Sequence, residues 1–186
     1  EGRLFAQGID GLQAIDAYNG TLLWHFEQPG ILDAYNADHL AGTAVTGGNM
    51  CIAEGSVFLR NKDRCFRLDA ATGKVKQTYV APKQQDETSG TWGYIACEDG
   101  ILFGSLSNSN HVVRHAYLRA DGHMKQQFSE STVFFAIDVD SGKLLWRRNA
   151  RESIRNNSIA IGDGKVFLID RELALDDLLS RARARR

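Results

Sequence analysis

One pattern occurs three times in this chain and constrains its fold more than any other feature. Each copy places an aspartate at the end of an apolar stretch and a glycine four residues later. The copies lie at residues 14–24, 67–74 and 136–146. A second pattern, Gly-Xaa-(Leu/Val)-Phe, begins at Gly2, Gly55, Gly100 and Gly164. Because short strands and turns that recur along a chain are typical of repeat architectures, the sequence predicts a modular all-β fold.

Dipeptides that favour tight turns separate the predicted strands. In the first unit, Asp10-Gly11 and Asn19-Gly20 favour turns with positive backbone dihedrals, so three antiparallel strands are expected there. The second and third units each gain a strand in front, and four short strands make the blade of a propeller. The predicted units cover about residues 2–27, 49–81, 93–149 and 157–170.

Two segments depart from the repeat. An insertion at 106–131 separates the second and third strands of the third unit. A tail at 171–186 has leucines followed by arginines and contains neither glycine nor proline, which predicts a helix with a basic end. We interpret the tail as a solvated helical insertion within the fourth blade, with a basic docking segment as the alternative.

The strand pattern predicts an arc and not a closed ring. A closed propeller has at least four complete blades, whereas this sequence provides about three and a half, with exposed edge strands at both ends. The chain begins at Glu1 in the middle of the repeat, which favours a piece of a longer polypeptide. We expect further blades of the same polypeptide, or a protein partner, to complete the ring.

The paired patterns resemble the repeat of β-propellers of the pyrroloquinoline quinone (PQQ) type, as found in large bacterial proteins. Blades of that family carry an Ala-Xaa-Asp-Xaa-Xaa-Thr-Gly-Xaa-Xaa-Xaa-Trp tryptophan-docking segment, and the resemblance covers roughly residues 2–170. It implies that the tryptophan rings pack against the neighbouring blade, and it implies an extracytoplasmic, periplasmic location. The matching positions are Asp16, Gly20, Trp24, Asp69, Gly73, Asp138, Gly142 and Trp146.

The docking segments also have a structural role that requires no cofactor. An aspartate at a strand end accepts hydrogen bonds from turn amides two or three residues later. The glycine that follows supplies a left-handed turn position. In the second copy, Gln77 stands where the family pattern has tryptophan, so the junction that follows the second blade is expected to be less apolar.

The cysteines and histidines are the candidate ligands and nucleophiles. Cys51, Cys65 and Cys97 fall on apolar positions of the repeat, which favours buried free thiols; a Cys51–Cys65 disulfide across the second blade stays open. His111 and His115 are spaced i, i+4 in the insertion. On a helix they would share a face and bind a divalent metal, but a polar, solvated loop is the favoured interpretation.

Charge and motifs restrict the function classes. The formal net charge is −1, which gives no electrostatic reason to expect a nucleic-acid or membrane-surface partner. No stretch approaches the roughly 20 apolar residues of a membrane span. Quinoprotein dehydrogenases of the resembling family bind PQQ with calcium, and none of their cofactor residues matches a residue here. No cofactor is therefore expected in this segment, while PQQ with calcium stays open for the full-length protein.

Three functions remain. The favoured one is a non-catalytic propeller that serves as a protein- or ligand-binding scaffold. The alternative is a fragment of a PQQ-dependent alcohol or sugar dehydrogenase whose cofactor residues lie outside this segment. A third is a structural domain appended to a larger protein. A fold alone does not decide among them.

Overall fold

Antiparallel β-sheet dominates the structure. The computed structural model describes residues 2–8, 10–29, 31, 49–84, 86, 88–108, 113–114, 123–124 and 130–172. Within them the strands form five antiparallel sheets, and one turn of 3-10 helix spans Asn156–Ser158. The prediction of an all-β repeat fold is confirmed.

The first two blades are simple meanders, in which strands adjacent in sequence are adjacent in the sheet. The first blade comprises β1 (Arg3–Gly8), β2 (Gly11–Asp16) and β3 (Leu22–Glu27). The second comprises β4 (Met50–Ala53), β5 (Ser56–Asn61), β6 (Arg64–Asp69) and β7 (Val75–Val80). The Asp10-Gly11 and Asn19-Gly20 dipeptides therefore lie at or within the connections between consecutive strands.

The third blade has five strands, one more than expected. It contains β8 (Trp92–Glu98), β9 (Ile101–Ser107), β12 (Glu130–Asp138), β13 (Leu144–Arg155) and β16 (Asp170–Arg171). β13 runs for 12 residues, and its far end offers a free edge on which β16 pairs, through Ile154 and Asp170. The Asp170 carboxylate accepts hydrogen bonds from the Arg151 and Glu152 amides at 2.7 and 3.0 Å, which holds this edge in place.

The insertion is shorter than the sequence indicated because β9 and β12 both extend into it. Within it, β10 (Val113–Arg114) pairs with β11 (His123–Met124). His111 and His115 lie outside the described residues.

The fourth unit is a two-stranded hairpin of β14 (Ala160–Gly162) and β15 (Lys165–Phe167). The chain then returns to the third blade as β16, so the predicted helix does not begin at Arg171, which is a strand residue. Glu172 is in neither helix nor strand. Residues 173–186 lie outside the described part of the chain.

Three apolar clusters hold consecutive units together. The first cluster joins the first and second blades, the second joins the second and third, and the third joins the third blade to the β14–β15 hairpin. Side chains of β5 alternate between two of them: Val57 and Leu59 face the first blade, while Phe58 faces the third. This period of two is what a strand buried on both faces requires.

Candidate functional site

The docking turns are built around their aspartates. Asp69 Oδ1 accepts hydrogen bonds from the amides of Ala71 and Thr72 at 3.0 and 2.9 Å, and the Gly73 amide donates to the Asp69 carbonyl at 2.8 Å. Lys76 Nζ lies 3.0 Å from Asp69 Oδ2. The hydrogen bond from Lys76, with those from Thr72, lowers the pKa of Asp69 to about 2.

The other two turns repeat this arrangement. Asp16 Oδ1 accepts from the Tyr18 amide at 2.8 Å, and Asp138 Oδ1 accepts from the Ser141 amide at 2.8 Å. The hydroxyl of Ser141 also donates to Asp138, and these bonds lower the pKa of Asp138. Gly20 and Gly142 then take positive φ angles of 76° and 68°.

Each turn is also fixed to the hairpin of its own blade. The residue after the aspartate donates its amide to the carbonyl of the Gly-Xaa-(Leu/Val)-Phe glycine. The pairs are Ala17 to Gly2 at 2.8 Å, Ala70 to Gly55 at 3.0 Å and Val139 to Gly100 at 2.9 Å. The two sequence patterns are therefore two halves of one contact.

Trp24 forms the junction between the first and second blades. Its indole Nε1 donates to the Ala70 carbonyl at 3.2 Å, and only 8% of the residue is exposed. The ring lies against Gly73, where a Cβ would come within 2.7 Å of the indole. Gly73 also has a φ of 71°, so both the left-handed conformation and the close approach of the ring require glycine there.

Tyr79 takes the same role at the second junction. Its hydroxyl donates to the Val139 carbonyl at 2.6 Å, and Val139 is equivalent to Ala70. Gln77 occupies the space beside Gly142. Tyr79 is 3% exposed, and burial raises its pKa to about 12.

The expectation of a less apolar second junction is therefore wrong. Tyr79 and Phe58 from the second blade lie in one continuous apolar cluster with Trp92 and Phe135 from the third. Tyr79 stands two residues after Gln77, on the same face of the strand, so the period of a strand was the signal that could have identified it.

Trp146 occupies the docking position at the third junction, but no docking turn meets it among the described residues. The residue is 41% exposed, and in the described part of the chain its indole N–H has no acceptor. The ring packs beside Phe103 and Phe134, with centroids 6.3 and 5.9 Å away. It faces a groove of about 830 Å³ between β13 and the β14–β15 hairpin, lined by Phe134, Trp146, Arg147, Arg148, Val166 and Phe167.

A buried polar cluster, which the sequence analysis did not identify, lies inside the third blade. Ser131 Oγ donates to Asn156 Oδ1 at 2.7 Å and lies 2.7 Å from Ser105 Oγ. A Cβ on Gly93 would come within 2.7 Å of Ser131 Oγ. The strand register shifts between Ser131 and Val133, so these side chains hold together a sheet whose backbone pairing is interrupted. The cluster is enclosed, and its role is structural.

Among the described residues, no three His, Cys, Asp or Glu side chains are grouped closely enough to hold a metal ion. Cys51, Cys65 and Cys97 are free thiols. Burial raises the pKa of Cys51 to about 12 and that of Cys97 to about 11, which makes them poor nucleophiles.

Across the described residues, no helix is both long and apolar enough to traverse a bilayer.

Solved structures with similar folds include an alcohol dehydrogenase and the protein BamB. A quinohemoprotein alcohol dehydrogenase from Pseudomonas putida aligns with a TM-score of 0.52 and 18% identity, over 90% of this chain and 29% of that one. BamB from Moraxella catarrhalis aligns with a TM-score of 0.50 and 10% identity, over 92% of this chain and 46% of that one. The chain thus spans less than half the length of either protein.

Sequence comparison adds no closer relative. No protein-family profile matches the sequence, and no curated protein matches it. At these low identities the structural likeness shows the fold alone. Together with the blades and docking turns described above, it shows that the chain has the fold of the PQQ-like β-propellers, present as an incomplete arc.

Proposed function

We propose that this chain is part of a non-catalytic PQQ-like β-propeller that serves as a protein- or ligand-binding scaffold. The observation that supports it is the groove beside Trp146. Large apolar side chains remain accessible on both sides of that groove: Trp146 is 41% exposed and Phe167 is 61% exposed. Contiguous exposed apolar surface of this kind marks interaction sites in soluble proteins.

The chemistry of the groove favours a protein segment as its ligand. Aromatic side chains form its floor, and Arg148, which lies on the same face of β13 as Trp146, contributes a cationic group. Trp and Arg are the residues that most often dominate the energy of protein interfaces.

A quinone-dependent dehydrogenase is the second candidate. It is favoured only by the structural likeness to a quinohemoprotein alcohol dehydrogenase. Its PQQ and calcium would have to be held by blades beyond the described residues. For either function we propose an extracytoplasmic location, in line with the family resemblance, which a reporter fusion to the full-length protein would test.

Calorimetric titration of the full-length protein with PQQ, with and without calcium, separates the two functions. A scaffold gives no calcium-dependent heat and no dye reduction with simple alcohols or sugars. Calcium-dependent binding with turnover would overturn the scaffold proposal.

Crosslinking provides the complementary positive test. Phe167 is replaced by a photoreactive phenylalanine derivative in cells that produce the full-length protein, with Tyr18, 89% exposed on the first blade, as the matched position. A scaffold whose ligand is a protein gives a discrete protein adduct from position 167 and none from position 18. Equal, diffuse labelling at both positions would contradict binding at the groove.

A further inference from the structure

We propose that the groove beside Trp146 is a docking site for a β-hairpin whose turn has the Asp-Xaa-Xaa-(Asn/Thr/Ser)-Gly sequence of this chain's own docking turns. This names the chemistry of the partner for the surface described above, and it rests on the proposed scaffold function. The hairpin would complete the half-blade formed by β14 and β15.

Two internal junctions define what a docking turn contributes. At each of them a single turn residue makes two hydrogen bonds. Its amide donates to the hairpin glycine of its own blade, and its carbonyl accepts from an aromatic side chain of the preceding blade. Ala70 bonds to Gly55 and Trp24 in this way, and Val139 bonds to Gly100 and Tyr79.

Among the described residues, the third junction has both partners of such a residue but not the residue itself. Gly164 lies in the turn of the β14–β15 hairpin with a φ of 67°, close to the 65° of Gly55 and the 70° of Gly100. In the described part of the chain, no turn amide reaches the Gly164 carbonyl and no carbonyl reaches the Trp146 indole. One residue of a docking turn would supply both the missing donor and the missing acceptor.

The β14–β15 hairpin also has a free edge where the new strands would pair. In the second blade, β5 pairs with β4 on one side and with β6 on the other. Its counterpart β15 pairs only with β14 among the described strands. An extended segment can add to such an edge through main-chain hydrogen bonds.

Shape and charge specify the turn. The indole of Trp24 tolerates no Cβ at Gly73, so the equivalent indole of Trp146 is expected to select glycine at the last turn position. Arg148 lines the groove and can pair with an aspartate of the turn, as Arg67 Nη1 pairs with Asp140 Oδ1 at 3.1 Å at the second junction. Residues 173–186 contain no glycine and so cannot supply this turn.

A peptide with the sequence of residues 64–80, cyclised to hold the hairpin and carrying Cys65→Ser, is the direct probe. It contains the Asp69–Gly73 turn but no tryptophan, so tryptophan fluorescence reports only on the protein. Trp24 and Trp92 are 8% and 0% exposed, and a spectral change on binding therefore reports mainly on Trp146. We expect saturable binding with a blue shift of the emission.

Matched variants test the specificity of this binding. Gly73→Val in the peptide and Trp146→Ala in the protein should each weaken binding by about 30-fold or more, the effect of losing an interface hot spot; binding to Trp146→Ala is followed by calorimetry. Leu145→Ala removes a neighbouring side chain of similar exposure that does not line the groove and should leave affinity unchanged. Binding that is insensitive to Gly73→Val, or no binding at all, would overturn the proposal.

Two further results keep this proposal separate from the scaffold function. Sedimentation of the chain without peptide should give a monomer; a dimer that Trp146→Ala disrupts would assign the groove to a second copy and overturn the proposal. If the peptide fails to bind while position 167 crosslinks to a protein, the hairpin assignment is wrong and the scaffold function stands. Calcium-dependent PQQ turnover would remove the scaffold function independently.

Discussion

At the scale of single residues, Trp24 and Trp146 have equivalent positions in their blades but different surroundings. Trp24 is 8% exposed and Trp146 is 41% exposed. We expect Trp24→Ala to lower the free energy of unfolding by about 3–5 kcal/mol, the usual cost of truncating a buried aromatic residue. Trp146→Ala should cost less than about 1 kcal/mol. Urea denaturation of both variants measures the difference, and equal costs would contradict an open third junction.

Tyr79 gives a second prediction at this scale. Removal of its hydroxyl in Tyr79→Phe leaves the Val139 carbonyl without its 2.6 Å donor and should cost about 1–3 kcal/mol. Burial raises the pKa of Tyr79 from 10.0 to about 12. The unfolded chain therefore loses this proton first, and the contribution of the phenol to stability is lost as pH rises from 10 to 12.

Measurements of the free energy of unfolding at pH 8 and pH 11 test whether ionisation of the Tyr79 phenol lowers stability. The wild-type chain should lose more stability over this interval than Tyr79→Phe does, because only the wild-type has this titrating phenol. An identical loss in both proteins would show that the Tyr79 hydroxyl is not protected from solvent.

At the scale of elements, the docking turn that contains Asp69 should weaken in acid. The ion pair with Lys76 and the turn hydrogen bonds lower the pKa of Asp69 from 3.8 to about 2. A lowered pKa stabilises the fold above the unfolded value, and the effect is lost as pH falls from about 4 to 2. The stability difference between wild-type and Asp69→Asn should therefore shrink over that range, as followed by thermal unfolding at pH 5 and pH 2.5.

Lys76→Gln is the control for this prediction. It removes the ion pair but keeps the aspartate and its turn hydrogen bonds, so its stability should depend less on acid pH than that of the wild-type. If all three proteins respond alike, the acid sensitivity of the chain originates elsewhere.

Local turn chemistry explains which elements the sequence could predict. Asn19-Gly20 and Asp99-Gly100 set strand ends through backbone preferences of a few neighbouring residues. β16 could not be identified in this way because it consists of Asp170 and Arg171 alone, and its pairing with β13 depends on the length of a strand far away in sequence. Tyr79 could not be identified from the family pattern, because that pattern places the docking side chain at the position of Gln77.

The candidate site was predictable in outline only. The fourth Gly-Xaa-(Leu/Val)-Phe pattern has no docking segment after it, which indicated an incomplete unit. The exposure of Trp146 and the position of Gly164 beside the groove depend on how two blades pack, and no local pattern contains that information.

At the scale of the whole molecule, the reactivity of the three thiols reports whether the blades are packed against one another. Burial raises the pKa of Cys97 from 9.0 to about 11 and that of Cys51 to about 12. Since the thiolate is the reactive form, we expect a chromogenic disulfide reagent at pH 8 to react about 100-fold more slowly with the folded chain than in urea. Fast reaction of all three thiols without denaturant would indicate that the blades do not pack as described.

Each apolar cluster bridges two neighbouring units, so the stability of a unit depends on how many neighbours it packs against. The second blade is clamped on both faces, whereas the first blade and the β14–β15 hairpin are each clamped by one cluster. Opening should therefore propagate inwards from the ends, as in other linear repeat arrays. Hydrogen-exchange mass spectrometry should find slow exchange in β5 and β6 and fast exchange in β1 and β15. A hairpin bound beside Trp146 would then slow exchange in β15 by giving that end a second neighbour.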